Sequence, residues 1–182
     1  IGYDPCSTIV VTYNDFPPAA EAAFQAAVDI WETVLSSPII IRVEANWTVL
    51  EENTLGSAGP ANLYRNFANA PTTDFYAAAL ADQISGVDQN PGGFDITANF
   101  NSNFDWYFGT DGNTPFNQVD LVSIVLHELG HGLGFVSSKQ YIGGLGFLEI
   151  GTSGFPLNYD NFLTLGAFGH PLLDLSGLPL GN

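Results

Sequence analysis

Methionine is absent from the 182 residues, and cysteine occurs once, at Cys6. A single cysteine cannot form a disulfide within the chain, and without a second thiolate it builds no zinc site of thiolates. Basic residues are also scarce, because 3 lysines and arginines stand against 19 acidic residues, a formal net charge of −16. Such a chain cannot neutralise a phosphate backbone or an anionic bilayer surface, which excludes nucleic acid and anionic membranes as partners.

Long apolar runs are missing as well. No stretch approaches the roughly 18 consecutive apolar residues of a membrane span, so we expect no membrane insertion. The sequence begins at Ile1 without a charged and apolar leader, as a mature, processed chain does. The acidity suits solubility in a salty or extracellular medium, and we expect a secreted, extracellular or cell-surface protein. The sequence does not indicate its oligomeric state.

Calcium binding is a second explanation for some of the carboxylates, because calcium takes carboxylate and carbonyl oxygens as ligands. The candidate segment is Gly-Thr-Asp-Gly-Asn, with Asp111 and Asn113 as its polar residues. This composition predicts a turn first and a calcium loop second. Calcium is therefore an additional candidate cofactor.

The composition predicts one α+β domain over residues 1–182. Apolar residues make up 46% of the chain, enough to bury a core, while 20 glycines and 11 prolines indicate many turns between short elements. We expect residues 1–134 to form an N-terminal part that ends in a buried helix. Residues 135–182 have little periodicity and are expected to begin a loop-rich C-terminal part.

Hydrophobic periodicity predicts the elements before that helix. Apolar residues at spacings of four, three and four from Phe24 predict a helix that starts near Pro18 and ends before Pro38. Strict alternation over residues 39–49 predicts a half-buried strand, antiparallel or at a sheet face. The other predicted elements are a strand at 8–12, a loop at 55–60, a helix that Thr73-Asp74 could cap and that runs through Tyr76 to Ile84, and a strand at 94–100.

The most informative segment is His127-Glu128-Leu129-Gly130-His131. Residues 121–126 before it are apolar, which predicts a buried helix, with Asn117 as its cap and Asp120 in its first turn. Histidines four residues apart lie on one helical face, so both rings can reach a single zinc ion. His127 and His131 are therefore candidate zinc ligands.

Glu128 is the candidate catalytic residue. It lies beside the expected ion without being placed to ligate it, close to the position where a catalytic zinc site holds water. Zinc lowers the pKa of bound water to about 7 and polarises a scissile carbonyl. Glutamate then acts as the general base that takes the water proton and passes it to the leaving amine.

Gly134 extends the motif toward the longer pattern His-Glu-x-x-His-x-x-Gly-x-x-His. In that pattern the glycine lets the chain turn sharply and deliver a third histidine to the metal. Here Ser137 occupies the place of that histidine. A serine hydroxyl is a weak zinc ligand, so the motif leaves the third ligand open.

Together these residues resemble a group of secreted bacterial metallopeptidases related to the metzincins. The resemblance is carried by residues 27–31, by 55–60, by 106–112, and by 120–135, which include the zinc motif. It implies a zincin-like or metzincin-like catalytic domain, with a mixed, twisted sheet, a backing helix and a buried active-site helix. It also implies a zinc metalloendopeptidase that acts on protein or peptide substrates.

Such relatives continue well past the segment similar to residues 159–163, to a Ser-His-containing stretch and then a methionine-containing turn. This chain has neither element, which favours a fragment whose third ligand is a histidine beyond Asn182. The candidates within the chain are Asp160, which could instead cap a short helix beginning at Asn161, and His170, which could instead be a surface histidine. The absent ligand also leaves open a catalytically impaired, zincin-like surface or assembly protein.

Overall fold

The computed structural model describes residues 7–142, 145–148, 155–165 and 170–171. They form a mixed α+β structure of small sheets and, within these ranges, three α-helices. The helices are α1 (Pro18–Val34), α2 (Ala78–Ser85) and α3 (Leu121–Leu133). The strands are β1 (Ile9–Asn14), β2 (Ile41–Thr48), β3 (Gly56–Pro60), β4 (Leu63–Tyr64), β5 (Tyr76–Ala77), β6 (Ile96–Asn101), β7 (Trp106–Tyr107), β8 (Val119–Asp120), β9 (Lys139–Ile142), β10 (Leu145–Leu148), β11 (Thr164–Leu165) and β12 (His170–Pro171), and a 3₁₀ helix spans Asn158–Phe162.

The largest sheet has the strand order β1-β2-β6-β3. β1 and β6 both pair parallel to β2, and β3 pairs antiparallel to β6 at the edge. On β2 the buried residues Ile41, Val43 and Ala45 alternate with partly exposed ones, as the sequence pattern predicts for a half-buried strand. The expected antiparallel pairing is wrong, because alternation reports one covered face and does not report strand direction.

Two other expectations need correction. Within the segment 55–60, Gly56–Pro60 form the edge strand β3 and not a loop, because their small residues allow close pairing with β6. The helix expected to run from Asp74 starts only at Ala78, since Tyr76 and Ala77 form β5. Its N-terminus has no side-chain cap.

Helix α1 starts and ends close to its prolines, as predicted. It buries Ala20, Ala23, Phe24, Ala27 and Val28 in the main core. The ring of Phe24 meets that of Phe100 on β6 edge to face, with centroids 5.6 Å apart. The small alanines let the helix lie close to its neighbours, and the aromatic ring fills the space that remains.

Helix α3 contributes Leu121, Val125 and Leu129 to the same core, between α1 and the sheet strands β3 and β6. Trp31 of α1 donates its indole N–H to the carbonyl of Leu126 at 3.2 Å, just before the first histidine of the motif. The sequence prediction of a largely buried motif helix is confirmed. Its polar face carries the histidines.

Gly132 lets α3 approach β6 closely. A Cβ atom placed on this glycine would lie 2.3 Å from Cγ2 of Ile96, a side chain that is itself buried in the sheet. Gly130, two residues earlier, has room, since its Cβ would meet only a Trp31 ring carbon, at 3.7 Å. An alanine side chain would therefore fit at position 130 but would overlap with Ile96 at position 132.

The described part of the C-terminal region consists of short elements. β9 and β10 form an antiparallel hairpin, β11 pairs with β12, and the 3₁₀ helix follows a bridge between Phe75 and Leu157. Among the described residues, none of the helices has the length and apolar character needed to cross a membrane.

Gly132→Ala should destabilise the fold by about 1–3 kcal/mol, because the added methyl overpacks the contact with Ile96. Gly130→Ala is the matched control, and should be neutral or stabilising by up to about 1 kcal/mol through helix propensity. Urea unfolding followed by tryptophan fluorescence measures both. Equal stability changes for the two variants would contradict the close packing at Gly132.

Candidate metal centre

Asp120 caps the helix that carries the motif. One carboxylate oxygen accepts from the backbone N–H of Ser123 at 2.7 Å, and the other accepts from the hydroxyl of Thr114 at 2.8 Å. Burial is the largest influence on the Asp120 carboxyl and acts upward, but the hydrogen bonds from Ser123 and Thr114 together lower its pKa below the ordinary value. The expectation that Asn117 is the cap is wrong, because β8 holds Val119 and Asp120 in an extended conformation.

The two histidines of the motif converge on one side of α3. Their Nε2 atoms lie 3.0 Å apart, and the rings are perpendicular, with centroids separated by 4.6 Å. His127 is exposed and His131 is partly exposed. Helical spacing thus produces the juxtaposition that the sequence predicts.

The tautomer of His131 follows from its second hydrogen bond. Its Nδ1 lies 2.7 Å from the carbonyl oxygen of Phe135. A carbonyl can only accept, so Nδ1 carries the proton and the neutral ring presents the lone pair of Nε2 toward His127. A backbone carbonyl on the far nitrogen is the usual outer-shell partner of a metal-binding histidine.

Gly134 brings that carbonyl back to the ring. Its φ is +117°, and its N–H bonds to the carbonyls of Gly130 and His131, while the N–H of Phe135 returns to Gly130 at 3.1 Å. This left-handed cap reverses the chain at the end of α3. The sequence indicates the sharp turn at Gly134. It does not indicate that the Phe135 carbonyl accepts from His131, because every residue type has the same backbone carbonyl.

The histidine pair fits zinc in its donor type and spacing. Two ligating nitrogens of a tetrahedral zinc site lie about 3.3 Å apart, close to the separation seen here. In the neutral ring, the hydrogen bond at Nδ1 leaves the lone pair of His131 on Nε2, the nitrogen nearest His127. Within the described ranges, no three His, Cys, Asp or Glu side chains come together in a cluster that could hold a metal ion.

Glu128 lies next to His127 and is partly exposed. No described residue forms a hydrogen bond with its carboxylate. Within the described residues, the carboxylate is thus not committed to another partner. This arrangement is compatible with proton transfer, which requires a carboxylate that is close to the metal and not committed to another partner.

Asp160 is buried and forms hydrogen bonds with its neighbours in the C-terminal region. Its carboxylate is 0% exposed and accepts from the hydroxyls of Ser137 and Ser138, the first at 2.6 Å, and from the N–H of Leu157 at 3.0 Å. It does not cap a helix beginning at Asn161, because the 3₁₀ helix begins at Asn158. We call this set of hydrogen bonds the Asp160 latch.

The remaining candidates either have other partners or lie outside the described residues. Ser137, in the place of a third histidine, donates to Asp160. The backbone of His170 pairs in β12, and its side chain lies outside the described part of the chain. Asp111 accepts from the N–H of Asn113 at 3.0 Å, which is the predicted turn.

A cavity of about 540 Å³ lies at the C-terminal end of α3. Gly134 and Phe135 form part of its wall, and the carbonyl of Phe135 is the one that accepts from His131. Val34 and Leu133 from the helix ends and Phe162 from the 3₁₀ helix make the wall mostly apolar. Such a cavity suits an apolar group of a ligand.

A family described as SPBPB7E8-like matches residues 20–142. An uncharacterized protein of Schizosaccharomyces pombe is 33% identical over 82 residues, which are 44% of this chain and 14% of that protein. The chain therefore spans only a small part of the curated relative that it matches. No solved structure matches the chain.

The resemblance to secreted bacterial metallopeptidases related to the metzincins is wrong. The family match is of a different description, and the named relative is an uncharacterized fission yeast protein. The segments that suggested the resemblance have structural roles in this fold, such as edge strand β3 at Gly56–Pro60 and the buried ring of Trp106. Such framework segments indicate packing and do not identify a family.

Asp120 should make the stability of α3 depend on acidic pH. Because its folded-state pKa is lowered, its contribution is complete above the unfolded-state pKa and is lost as the pH falls through the folded-state value. Asp120→Ala should cost about 1 kcal/mol at pH 7 and progressively less in acid. Urea unfolding of both proteins from pH 7 to pH 2 measures this, and a pH-independent difference would contradict it.

The Asp160 latch predicts a stability effect that is separate from metal binding. Asp160→Ala should destabilise the fold by about 3 kcal/mol, because buried donors lose their acceptor. Ser137→Ala, which removes one donor only, should cost about 1 kcal/mol. Thermal unfolding measures stability and a zinc titration measures affinity. A large loss of zinc affinity in folded Asp160→Ala, with little change in stability, would instead identify Asp160 as a ligand.

Proposed function

The chain belongs to the SPBPB7E8-like family, and we propose that it is a zinc-dependent metalloendopeptidase, a hydrolase of protein or peptide substrates. The observation that carries the proposal is the pair of Nε2 atoms of His127 and His131, 3.0 Å apart on the accessible face of α3. The tautomer fixed on His131 supports metal ligation over a chance contact of two surface histidines.

The proposed mechanism assigns each residue one task. His127 and His131 hold the zinc ion, which when bound acidifies a water molecule and polarises the scissile carbonyl. Glu128 accepts the proton of the attacking water and delivers it to the leaving amine nitrogen. Its uncommitted carboxylate and its position beside His127 support this role.

The surroundings of the histidine pair support an extended peptide as the substrate. β3 is the edge strand of the main sheet and packs against α3. An extended peptide can add to such an edge through backbone hydrogen bonds. The apolar cavity beside Phe135 would accept an apolar side chain of the substrate.

The finer architecture is part of the same proposal. An antiparallel edge strand against a helix with His-Glu-x-x-His, and α1 packed beside that helix, support a zincin-like arrangement. We place the third ligand at His170 or at a histidine beyond Asn182, since Asp160 is engaged in its latch. Secretion or a cell-surface location agrees with the excess of acidic residues.

A catalytically impaired zincin-like protein, with a role in surface binding or assembly, is the second candidate. It is favoured by the position of Ser137, which is tied to Asp160 and does not face the histidines as a ligand. Two histidines alone hold zinc weakly, because a lost ligand removes much of the chelate. Stable, metal-free protein without peptidase activity would support this candidate.

Glu128→Gln should retain zinc and lose at least about 10²-fold in peptidase activity, because the amide cannot accept the water proton. His127→Ala and His131→Ala should release the metal. Zinc content is measured by atomic absorption, and activity is measured on casein. Glu52→Gln, the same change at an exposed position outside α3, is the matched control and should keep both properties.

Four outcomes test the proposed function, its mechanism and its ligands. Zinc that a chelator removes together with activity supports the enzyme. Full activity of Glu128→Gln would overturn the mechanism, and zinc binding unaffected by both histidine substitutions would overturn the site. His170→Ala with normal zinc affinity would leave the ligand beyond Asn182 as the remaining assignment.

A further inference from the structure

The cavity at the C-terminal end of α3 is built by segments that are far apart in the sequence. Val34 and Leu35 come from the end of α1, Leu80 comes from α2, Phe135 follows the last turn of α3, and Phe162 belongs to the 3₁₀ helix. Because these elements meet only in the folded chain, the cavity is a property of the whole domain and not of one loop.

The volume of the cavity exceeds what one side chain needs. A cavity of about 150 Å³ is enough to hold a benzene ring. The volume here is about 540 Å³, which lies within the range of about 300–1,000 Å³ that is typical of ligand sites. There is therefore room for two large apolar side chains of one ligand.

The lining of the cavity is uncharged. Of the described residues that form it, none carries a charge at neutral pH, although the chain has 19 acidic and 3 basic residues. A charged ligand group would enter this cavity without an ion to pair with, which is costly. The exposed side chains of Ser36 and Gln83, which are also in the lining, carry hydrogen-bond donors and acceptors. This combination suits an uncharged peptide segment, with amide groups along an apolar body.

Three apolar side chains of the lining are open to solvent. Val34 is 57% exposed, Phe135 is 55% exposed and Phe162 is 72% exposed. The ring of Phe135 meets that of Tyr159 with centroids 5.9 Å apart, so the 3₁₀ helix and the end of α3 present their rings together. Exposed apolar side chains that lie together are typical of interaction sites, because a ligand that covers them removes apolar surface from water.

Phe135 connects the cavity to the histidine pair. Its side chain lines the cavity, and its carbonyl oxygen accepts from Nδ1 of His131 at 2.7 Å. An extended peptide advances about 3.3 Å per residue. A peptide with one segment in the cavity would therefore reach the histidines within a few residues.

We propose that the cavity recognises the peptide substrate through an uncharged segment with two large apolar residues at alternate positions. Side chains two residues apart lie on the same face of an extended chain, so both can enter one cavity. Val34, Phe135 and Phe162 are the residues that determine this specificity. The inference rests on the proposed function for the identity of the ligand as a substrate. Peptide binding to the cavity itself does not require zinc.

The test is isothermal titration of the complete chain, treated with a chelator so that no peptide is cleaved. The probe is a pentapeptide with both ends capped, Ala-Phe-Ala-Leu-Ala, and the comparison peptide has asparagine in place of Phe and Leu. The apolar peptide should bind at least about tenfold more tightly, because only its side chains gain from burial. A peptide that keeps Phe alone should show intermediate affinity.

Two substitutions, each with a matched control, locate the binding site. Val34→Asp, which places a charge in the lining, and Phe162→Ala, which removes a ring from it, should each weaken binding by about tenfold. Ile30→Asp, one turn earlier on α1, and Phe116→Ala change exposed apolar residues outside the lining and should keep wild-type affinity. Because all four positions are exposed, the variants should fold, which circular dichroism checks.

Cleavage of the same peptides by the zinc-loaded chain separates this proposal from the proposed function. Val34→Asp should raise KM for the apolar peptide by about tenfold and leave kcat unchanged. Binding as expected without any cleavage would support the cavity as a peptide site and overturn the peptidase. Cleavage without a preference for the apolar peptide would overturn the role of the cavity.

Three further results would overturn the proposal. The first is a wild-type protein that binds the apolar peptide no better than the asparagine peptide. The second is equal affinity in each variant and its matched control. The third is tighter binding of an uncharged fatty amide than of the apolar peptide, which would assign the cavity to a different class of ligand.

Discussion

The hydrogen bond between His131 Nδ1 and the carbonyl of Phe135 determines which tautomer His131 presents to its neighbour His127. It places the proton on one nitrogen and therefore leaves a lone pair on the other, where a metal ligand needs it. The carbonyl reaches the ring because Gly134 adopts a φ of +117°. A residue with a side chain would be strained there. The left-handed conformation of Gly134 at the end of α3 thus determines which nitrogen of His131 carries the proton.

Contacts elsewhere along α3 determine the direction in which the two histidines face. Asp120 fixes where α3 begins, and Gly132 allows the helix to lie against Ile96 of the sheet. The indole of Trp31 holds the carbonyl of Leu126, one residue before His127. Because these contacts determine the rotation of α3, they decide which side chains face the core and which reach the open side. Rigid elements of this kind are what a metal or catalytic site requires of its scaffold.

Sequence patterns that act over a few residues predict part of this structure. The prolines around α1 and the spacing of His127 and His131 act within a few residues, so the sequence reveals the helices and the converging rings. The pairing of β3 with β6 joins segments about 40 residues apart and overrides a composition typical of loops. The choice of Asp120 over Asn117 as cap likewise depends on pairing between β7 and β8. Such non-local contacts cannot be deduced from composition.

The Asp160 latch holds the chain around Ser137 in place by hydrogen bonds. A metal ligand at position 137 is therefore not needed to fix this segment. Ser137 and Ser138 donate to a carboxylate more than 20 residues later, and Leu157 adds its backbone N–H. A metal ion could recruit Asp160 only by displacing these donors, at a cost of about 1–3 kcal/mol for each one left buried and unpaired. A third ligand supplied by another residue leaves the latch intact. The segment after α3 is then held by its own hydrogen bonds, and its path does not depend on the metal.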